Sequence, residues 1–222
     1  MPSVLITGAN RGIGLEFARQ YADAGWEVVA TAREPGSATE LAALPVRVEA
    51  LDVRDLEGVV AFGGRIGEGL DLLIANAGTD HPKRTATAED GRAWAEMLVI
   101  NSIAPFLLAQ AVLPKVAATR GKLIAISSRM GSIADNGSGG YAPYRSSKAA
   151  LNAAWRSLAI DCRGQGVTAA VLNPGWVKTR MGGPNAPLPV EAAVATMIKL
   201  IDQLGPDQSG GFFNYDGTVI PW

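Results

Sequence analysis

The sequence has few of the residues that build disulfide-bonded, metal-binding and membrane proteins. Cys162 is the only cysteine among 222 residues, so an internal disulfide is excluded and a reducing compartment fits. The single histidine, His81, has no cysteine or histidine partner at ligand spacing, which argues against a metal site. No segment approaches the roughly 18 uninterrupted apolar residues of a membrane helix, and no leader pattern precedes the first apolar run. We therefore expect a soluble, cytoplasmic protein without a metal or a membrane partner.

The chain also lacks an excess of either charge. Its formal net charge is −1 at neutral pH. A nucleic-acid-binding domain generally carries a basic surface, so we expect no nucleic-acid partner. Hydrophobic residues make up 48% of the chain, which excludes a disordered protein and provides enough apolar side chains for a large core.

Apolar runs and helical patterns alternate along the whole chain. This alternation predicts right-handed βαβ crossovers and an α/β fold, with a doubly wound, mainly parallel sheet of about seven strands and helices on both faces. No linker or repeat divides the chain, so we expect one Rossmann-like domain over residues 1–222. The strands are predicted at 4–6, 26–32, 46–51, 72–75, 123–126 and 167–172, with Phe212-Phe213 as a candidate last strand. The helices are predicted at about 15–25, 37–44, 55–68, 89–118, 144–163 and 190–204.

A glycine-rich turn follows the first strand and precedes the first helix. Glycine permits positive φ and a close approach of the backbone to a pyrophosphate, and the helix N-terminus offers free N–H groups to the phosphates. The spacing is Gly-x-x-x-Gly-x-Gly, which differs from the more familiar Gly-x-Gly-x-x-Gly fingerprint. The alternative is a glycine-rich turn that binds nothing. We expect a dinucleotide site formed by Gly8, Asn10, Arg11, Gly12, Ile13 and Gly14.

The second and third predicted strands indicate which dinucleotide binds. An acid at the end of the second strand favours NAD, whereas a nearby arginine accommodates a 2′-phosphate. Here Arg33 ends that strand, and Arg11 could point to the same place. We therefore expect NADP(H) to be preferred, with NAD(H) still possible. Glu34 would oppose that preference if it turned inward, and Arg33 and Arg11 could instead be solvated or local residues. Asp52 suits the adenine amine, or alternatively a helix cap.

Tyr144 and Lys148 carry the strongest chemical signal. Residues four apart share one face of a helix, so the phenol and the ammonium group would lie side by side. A free tyrosine has a pKa near 10, and a neighbouring cation lowers it. Such a phenol can give a proton to a carbonyl oxygen or take one from an alcohol. Ser128 ends the fifth strand at the same rim, where its hydroxyl can bond a substrate oxygen. Tyr141 is a rival phenol, but it precedes the predicted helix.

Taken together, these motifs resemble the ordered motif set of the short-chain dehydrogenase/reductase family over essentially the full length. The stretch from Ser127 to Lys148 is similar to the carbonyl-reductase-like branch that contains insect sniffer and bacterial C-factor proteins. The residues that carry the resemblance are Thr7-Gly8-x-x-x-Gly12-x-Gly14, Asn76-Ala77-Gly78, Asn101, Ser128, Tyr144-x-x-x-Lys148 and Pro174-Gly175.

The resemblance implies four catalytic roles. Tyr144 is the general acid/base, Lys148 binds the nicotinamide ribose and lowers the phenol's pKa, and Ser128 polarises the carbonyl. Asn101 holds a water that relays protons to Lys148. A buried asparagine that closes a backbone bond is the alternative for Asn101, and Ser127 competes with Ser128.

The resemblance also implies contacts to the cofactor. Asn76 and Gly78 would line the adenosine side, Thr179 would bond the carboxamide, and Val177 would pack on the same ring system. The remaining expected contacts are Val53, Ala77, Pro174 and Gly175, together with Tyr144 and Lys148.

The leading functional hypothesis is an NADPH-dependent carbonyl reductase acting on a small carbonyl or alcohol substrate. A cofactor-sensing or signalling protein with slow turnover and an NAD-dependent alcohol dehydrogenase are the alternatives. The loop from Lys178 to Pro189 is short, which leaves the substrate side open, with Trp176, Met181 and Met130 as candidate lining residues. In the family, the helices that carry Asn101 and Tyr144 often pair between subunits, so the resemblance implies a homodimer or homotetramer, with a monomer as the alternative.

Overall fold

The structure is a computed structural model that describes residues 1–80 and 87–222, and His81 lies outside the described residues. Seven strands form one sheet in the order β3-β2-β1-β4-β5-β6-β7, and every neighbouring pair is parallel. The predicted doubly wound parallel sheet is therefore confirmed. The strands are β1 Ser3–Ile6, β2 Glu27–Ala32, β3 Arg47–Ala50, β4 Leu72–Ala75, β5 Lys122–Ile126, β6 Thr168–Asn173 and β7 Phe212–Asn214.

Helices cover both faces of the sheet because each central strand is apolar on both sides. Leu5 and Leu73 contribute to one buried cluster with residues of α3, α5 and α6. Val4 and Ile6 contribute to a second cluster, on the opposite face, with residues of α1, α2 and α7. The helices are α1 Gly12–Asp23, α2 Thr39–Ala42, α3 Leu56–Arg65, α4 Ala88–Leu98, α5 Ala104–Thr119, α6 Ala142–Asp161 and α7 Val190–Gln203.

The structure differs from the predicted elements in three places. The helix predicted over 89–118 is interrupted by a π-helical turn, Val99–Ile103, between α4 and α5. The helix predicted over 37–44 is a 3₁₀ turn, Pro35–Ser37, followed by the short α2. The third strand is not buried on both faces, since Arg47 and Ala50 are exposed. It is an edge strand and has a neighbour on one side only.

The apolar helical stretch Ala88–Thr119 is long and hydrophobic enough, by length and composition alone, to cross a membrane. In the structure it packs on α3 and α6 and on strands β4 and β5. The buried apolar side chains of this stretch, most of them in α5, therefore belong to the core between the sheet and its helices.

Candidate active site

A cavity of about 790 Å³ lies at the carboxyl ends of the strands. Parallel sheets of this type bind ligands at that edge. Five of the predicted site residues stand behind its surface: Gly14, Asn101, Ser128, Gly175 and Val177. The predicted residues that line the cavity are Gly8, Asn10, Arg11, Gly12, Ile13, Arg33, Asp52, Val53, Asn76, Ala77, Gly78, Tyr144, Lys148, Pro174 and Thr179.

The glycine turn needs its glycines because of close approaches to β4. Gly8 has φ +65°, and a Cβ there would lie 2.8 Å from the Cα of Ala77. A Cβ at Gly14 would collide with the carbonyl oxygen of Gly8 and the amide of Asn76. Asn76 Nδ2 donates to the carbonyl oxygens of Thr7 and Gly8 at 2.9 and 3.1 Å. The predicted glycine and Asn-Ala-Gly motifs thus form one rigid cradle.

Helix α1 begins directly after this turn with its first-turn N–H groups facing the cavity edge. Arg11 is the N-cap residue, and its side chain makes no capping hydrogen bond within the described chain. The first turn of α1 also has no acidic residue. Free N–H groups and the positive end of the helix dipole therefore meet the cavity, which fits a bound pyrophosphate.

Three arginines surround this end of the cavity. Arg11, Arg33 and Arg180 all line it. Burial, then the Arg180 charge and the Arg33 charge, lower the pKa of Arg11. Glu34 also lines the cavity, but its carboxylate lies 3.8 Å from the guanidinium of Arg33. The arrangement concentrates positive charge where an additional phosphate would be held.

Asp52 is not available as a free carboxylate. Arg54 Nη2 lies 2.6 Å from its carboxylate, and the Arg54 backbone N–H donates to it at 3.0 Å. The hydrogen bond from the Arg54 side chain is the largest cause of the lowered pKa of Asp52. The alternative role of Asp52 as a helix cap is wrong, because Asp55 caps α3 by accepting from Gly58 N at 3.0 Å.

At the other end of the cavity, α6 presents Tyr144 and Lys148 side by side. The Lys148 Nζ lies 5.9 Å from the centre of the Tyr144 ring and donates to the carbonyl oxygen of Ile126 at 2.9 Å. Burial raises the pKa of Tyr144 to about 12; a hydrogen bond with the Ser128 hydroxyl opposes this shift, and the Asp80 charge adds to it. Burial lowers the pKa of Lys148 to about 8.

Each candidate and its rival have different surroundings. Ser127 is buried and lines the cavity, and its hydroxyl donates to Asn152 Oδ1 at 2.7 Å. Ser128 is half-buried and bonds Tyr144. Tyr141 precedes α6 with φ 52° and is 55% exposed, whereas Tyr144 lines the cavity. The geometry therefore brings together Ser128, Tyr144 and Lys148.

Asn101 occupies the π-helical turn and is buried. Its Oδ1 accepts from Thr79 N at 2.9 Å, and its Nδ2 donates to Thr79 O at 2.8 Å and to Ser147 Oγ at 2.9 Å. The side chain thus closes backbone hydrogen bonds, as the alternative expected, and ties the end of β4 to the first turns of α6. Its carboxamide stands close to Lys148, since a Cβ at Gly78 would lie 3.3 Å from Asn101 Oδ1 and 3.7 Å from Lys148 Nζ.

Comparison with known proteins agrees with this geometry. Residues 2–187 match the sequence model of the family described as short chain dehydrogenase. The chain belongs to the short-chain dehydrogenase family.

This short-chain dehydrogenase is 42% identical to the C-signal of Myxococcus xanthus over 164 residues, which are 73% of this chain and 99% of that protein. The structure of the carbonyl reductase Sniffer of D. melanogaster is 35% identical, with a TM-score of 0.92 and 100% of both chains covered. An NADPH-bound carbonyl reductase from chicken fatty liver is 36% identical, with a TM-score of 0.90, and covers 100% of this chain and 99% of that one. The predicted relation to the carbonyl-reductase-like branch is confirmed.

In this short-chain dehydrogenase the loop after β6 is folded tightly against the glycine turn. Gly175 has φ +83° and packs on the Tyr215 ring, and Val177 is buried. Both residues hold the loop in shape behind the cavity wall. Thr179 lies at the wall, where a Cβ on Gly12 would come within 3.4 Å of its Cγ2.

Reasoning from the sequence missed four charged residues that line the cavity: Arg54, Asp80, Glu96 and Arg180. Arg54 follows directly after two predicted residues, Asp52 and Val53. Arg180 follows directly after Thr179. Arg54 and Arg180 could have been found from the sequence, because each is a charged residue that directly follows a predicted site residue.

Proposed function

We propose that this short-chain dehydrogenase is an NADPH-dependent reductase of small aldehydes or ketones. The observation that carries the proposal is the pair of Tyr144 and Lys148 at one end of the cavity, with Ser128 bonded to the phenol, while the other end holds the glycine cradle and the arginines. One end can do acid–base chemistry on an oxygen atom, and the other end can hold phosphates. A pure binding module has no need for the first end.

The residues of the cavity fit a dinucleotide. The cradle around Gly8, Gly12 and Gly14 and the free N-terminus of α1 would hold the pyrophosphate. Arg11 and Arg33 would hold a 2′-phosphate, and the NADPH in the chicken reductase supports this choice. Asp52 and Val53 would face the adenine, and Thr179 would face the carboxamide. Lys148 would bind the nicotinamide ribose.

The bound cofactor supplies a hydride to the carbonyl carbon, and the protein supplies a proton to the carbonyl oxygen. Tyr144 is protonated at neutral pH because burial keeps its pKa far above 7. It is therefore a proton donor before the reaction begins. The Ser128 hydroxyl lies beside the phenol and would turn to donate its proton to the same carbonyl oxygen when the substrate binds. These two donors stabilise the negative charge that develops on that oxygen during reduction.

Lys148 acts on the phenol and not on the carbonyl. Its buried ammonium lies beside the Tyr144 ring and favours the phenolate that remains after the proton has left. Asn101 holds Thr79 and the first turns of α6 in register, and we keep the relay of a proton through a water near Asn101 as part of the proposal. The relay would return a proton to Tyr144 through Lys148.

The test is oxidation of NADPH and of NADH at matched concentrations with a panel of small aldehydes and ketones. We expect turnover with NADPH, and a loss of at least about 100-fold in Tyr144→Phe, which removes the proton donor. Tyr141→Phe is the matched control, because that phenol is exposed and stands outside the cavity. Its activity should equal that of the wild type.

Three results would redirect the proposal. Tight NADPH binding without turnover of any carbonyl, unchanged by Tyr144→Phe, would favour the sensor hypothesis. Faster turnover with NADH than with NADPH would favour an NAD-dependent dehydrogenase. Equal losses of activity in Tyr141→Phe and Tyr144→Phe would show that Tyr144 is not the proton donor.

Two further properties belong to the proposal. We place the enzyme in the cytoplasm because a chain with one cysteine fits a reducing compartment. We also propose that α5 and α6 pair between subunits in a homodimer or homotetramer. Light scattering at several protein concentrations measures the molecular mass. A mass of one chain at every concentration would contradict the proposed assembly.

A further inference from the structure

Arg180 stands at the cavity on a turn that is held in place by backbone contacts. Gly183 N donates to the Thr179 carbonyl oxygen at 2.8 Å, and Gly182 N donates to Thr179 Oγ1 at 3.1 Å. The same turn lies against the first residue of α1, since a Cβ on Gly12 would come within 3.4 Å of Thr179 Cγ2. The loop therefore fixes Thr179, the neighbour of Arg180, against the start of α1.

The carboxylates that line the cavity are engaged elsewhere. Glu34 lies beside Arg33, and both Asp52 and Glu96 pair with Arg54. The charge of Asp80 raises the pKa of Tyr144, at the opposite end of the cavity.

Within residues 1–80 and 87–222, the guanidinium groups of Arg11 and Arg180 make no hydrogen bond or ion pair. They are nevertheless close enough for the Arg180 charge to lower the pKa of Arg11. Two guanidinium groups that repel each other beside a cavity gain free energy when an anion binds between them.

The topology distinguishes Arg180 from Arg33. Arg33 follows β2, on one side of β1, at the place where a 2′-phosphate is recognised. Arg180 belongs to the loop after β6, on the other side of β1, where its neighbour Thr179 contacts the start of α1 and its charge acts on Arg11. The start of that helix is the place for the pyrophosphate.

We infer that Arg180 is a phosphate-binding residue of the cofactor site and contacts the pyrophosphate bridge, which NADPH and NADH share. This inference rests on the proposed function. It adds a third arginine to Arg11 and Arg33 in the cofactor site. Arg33 recognises the additional phosphate of NADPH, whereas Arg180 binds either dinucleotide.

The experiment measures dissociation constants of NADPH and NADH by calorimetry, without substrate, for the wild type, Arg180→Gln, Arg33→Gln and Arg163→Gln. We expect Arg180→Gln to weaken both dinucleotides by a similar factor of about tenfold, because a charge-assisted bond is lost. Arg33→Gln should weaken NADPH alone. Arg163→Gln is the matched control, an exposed arginine that does not line the cavity, and should change neither constant.

The outcomes separate the inference from the proposed function. Unchanged binding of both dinucleotides in Arg180→Gln would overturn the inference and leave the proposed function in place. A loss confined to NADPH would overturn the assignment to the pyrophosphate. A wild-type protein that binds neither dinucleotide would overturn the proposed function, and this inference with it.

Discussion

The side chain of Lys148 carries a charge in a place that is almost closed to water. The residue is 5% exposed, and its ammonium donates to the carbonyl oxygen of Ile126. Burial of a cation with few partners costs free energy. A buried lysine beside Tyr144 is therefore better explained by chemistry at the phenol than by a contribution to stability.

Replacing Lys148 by methionine should abolish reduction and change how stability depends on pH. Burial lowers the lysine pKa from 10.5 to about 8, so between these values the unfolded chain binds more protons than the native protein. Wild-type stability then rises with pH relative to the variant, by about 2–3 kcal/mol from pH 7 to pH 10. Urea unfolding at the two pH values measures the difference in free energy of unfolding between the two proteins. A difference that does not change with pH would contradict the explanation.

The phenol of Tyr144 predicts different pH dependences for the two directions of the reaction. Reduction uses the protonated phenol, which dominates at every pH well below its pKa of about 12. Oxidation uses the phenolate, whose fraction grows up to tenfold per pH unit below that pKa. Below the Lys148 pKa of about 8, where that lysine keeps its charge, we expect kcat for reduction to stay flat and kcat for alcohol oxidation to rise with pH. A flat profile for oxidation would show that Tyr144 is not the base.

Single residues also show how far the sequence could predict the site. Residues at the ends of strands were predicted because the carboxyl ends of parallel strands meet at one edge. The choice of Ser128 over Ser127 stays a prediction, since Ser127 lines the cavity whereas Ser128 bonds the phenol of Tyr144. Arg180 was missed because its place depends on a turn, Thr179–Gly183, that no periodic pattern encodes.

At the scale of elements, the π-helical turn between α4 and α5 is the largest departure from prediction. An apolar pattern that continues over 89–118 predicts one uninterrupted helix. A single π-helical turn changes the spacing of apolar residues too little to be detected in the sequence. The turn contains Asn101 and Ser102, whose side chains bond Thr79, Ser147 and the Ser147 carbonyl oxygen. π-Helical turns are often found at functional sites, and here the turn brings two polar side chains to α6.

Replacing Asn101 by alanine should lower the free energy of unfolding by about 1–3 kcal/mol. The variant removes the hydrogen bonds from Asn101 to the Thr79 backbone and to Ser147, and the loss of buried hydrogen bonds costs about this much. Ile103→Ala is the matched control, because that side chain lies in the same turn and is 43% exposed. Urea unfolding measures both variants, and equal stability of the two would show that the asparagine does not hold the turn.

At the scale of the whole molecule, the fold was predictable because its strongest signals are local. Buried apolar runs, a glycine turn and regular helical spacing each span a few residues, and the right-handed βαβ rule then arranges them. The contacts of the last residues were not predictable, since they join segments far apart in sequence. Ser132 Oγ donates to the carbonyl oxygen of Pro221 at 2.5 Å, and Ile133 N donates to Trp222 O at 2.6 Å. The Trp222 ring stacks on Phe212 of β7 at 5.5 Å.

These contacts couple the sheet edge to the loop that follows Ser128. Removing residues 221–222 takes away the acceptors of Ser132, Ile133 and Ala134, so this loop should become mobile. We expect the KM for the carbonyl substrate to rise several-fold, because a less rigid loop positions the substrate poorly. The dissociation constant of NADPH should stay unchanged, since residues 132–134 do not line the cavity.

Steady-state kinetics and calorimetry on the shortened protein measure the two quantities separately. Val219→Ala is the control for a change near the same end of the chain, because that side chain is 74% exposed and its loss removes none of the hydrogen bonds to the loop. Its KM and NADPH binding should both match the wild type. If the shortened protein lost NADPH affinity as much as substrate affinity, the whole sheet edge would have been disturbed, and the coupling would not be specific to the loop beside Ser128.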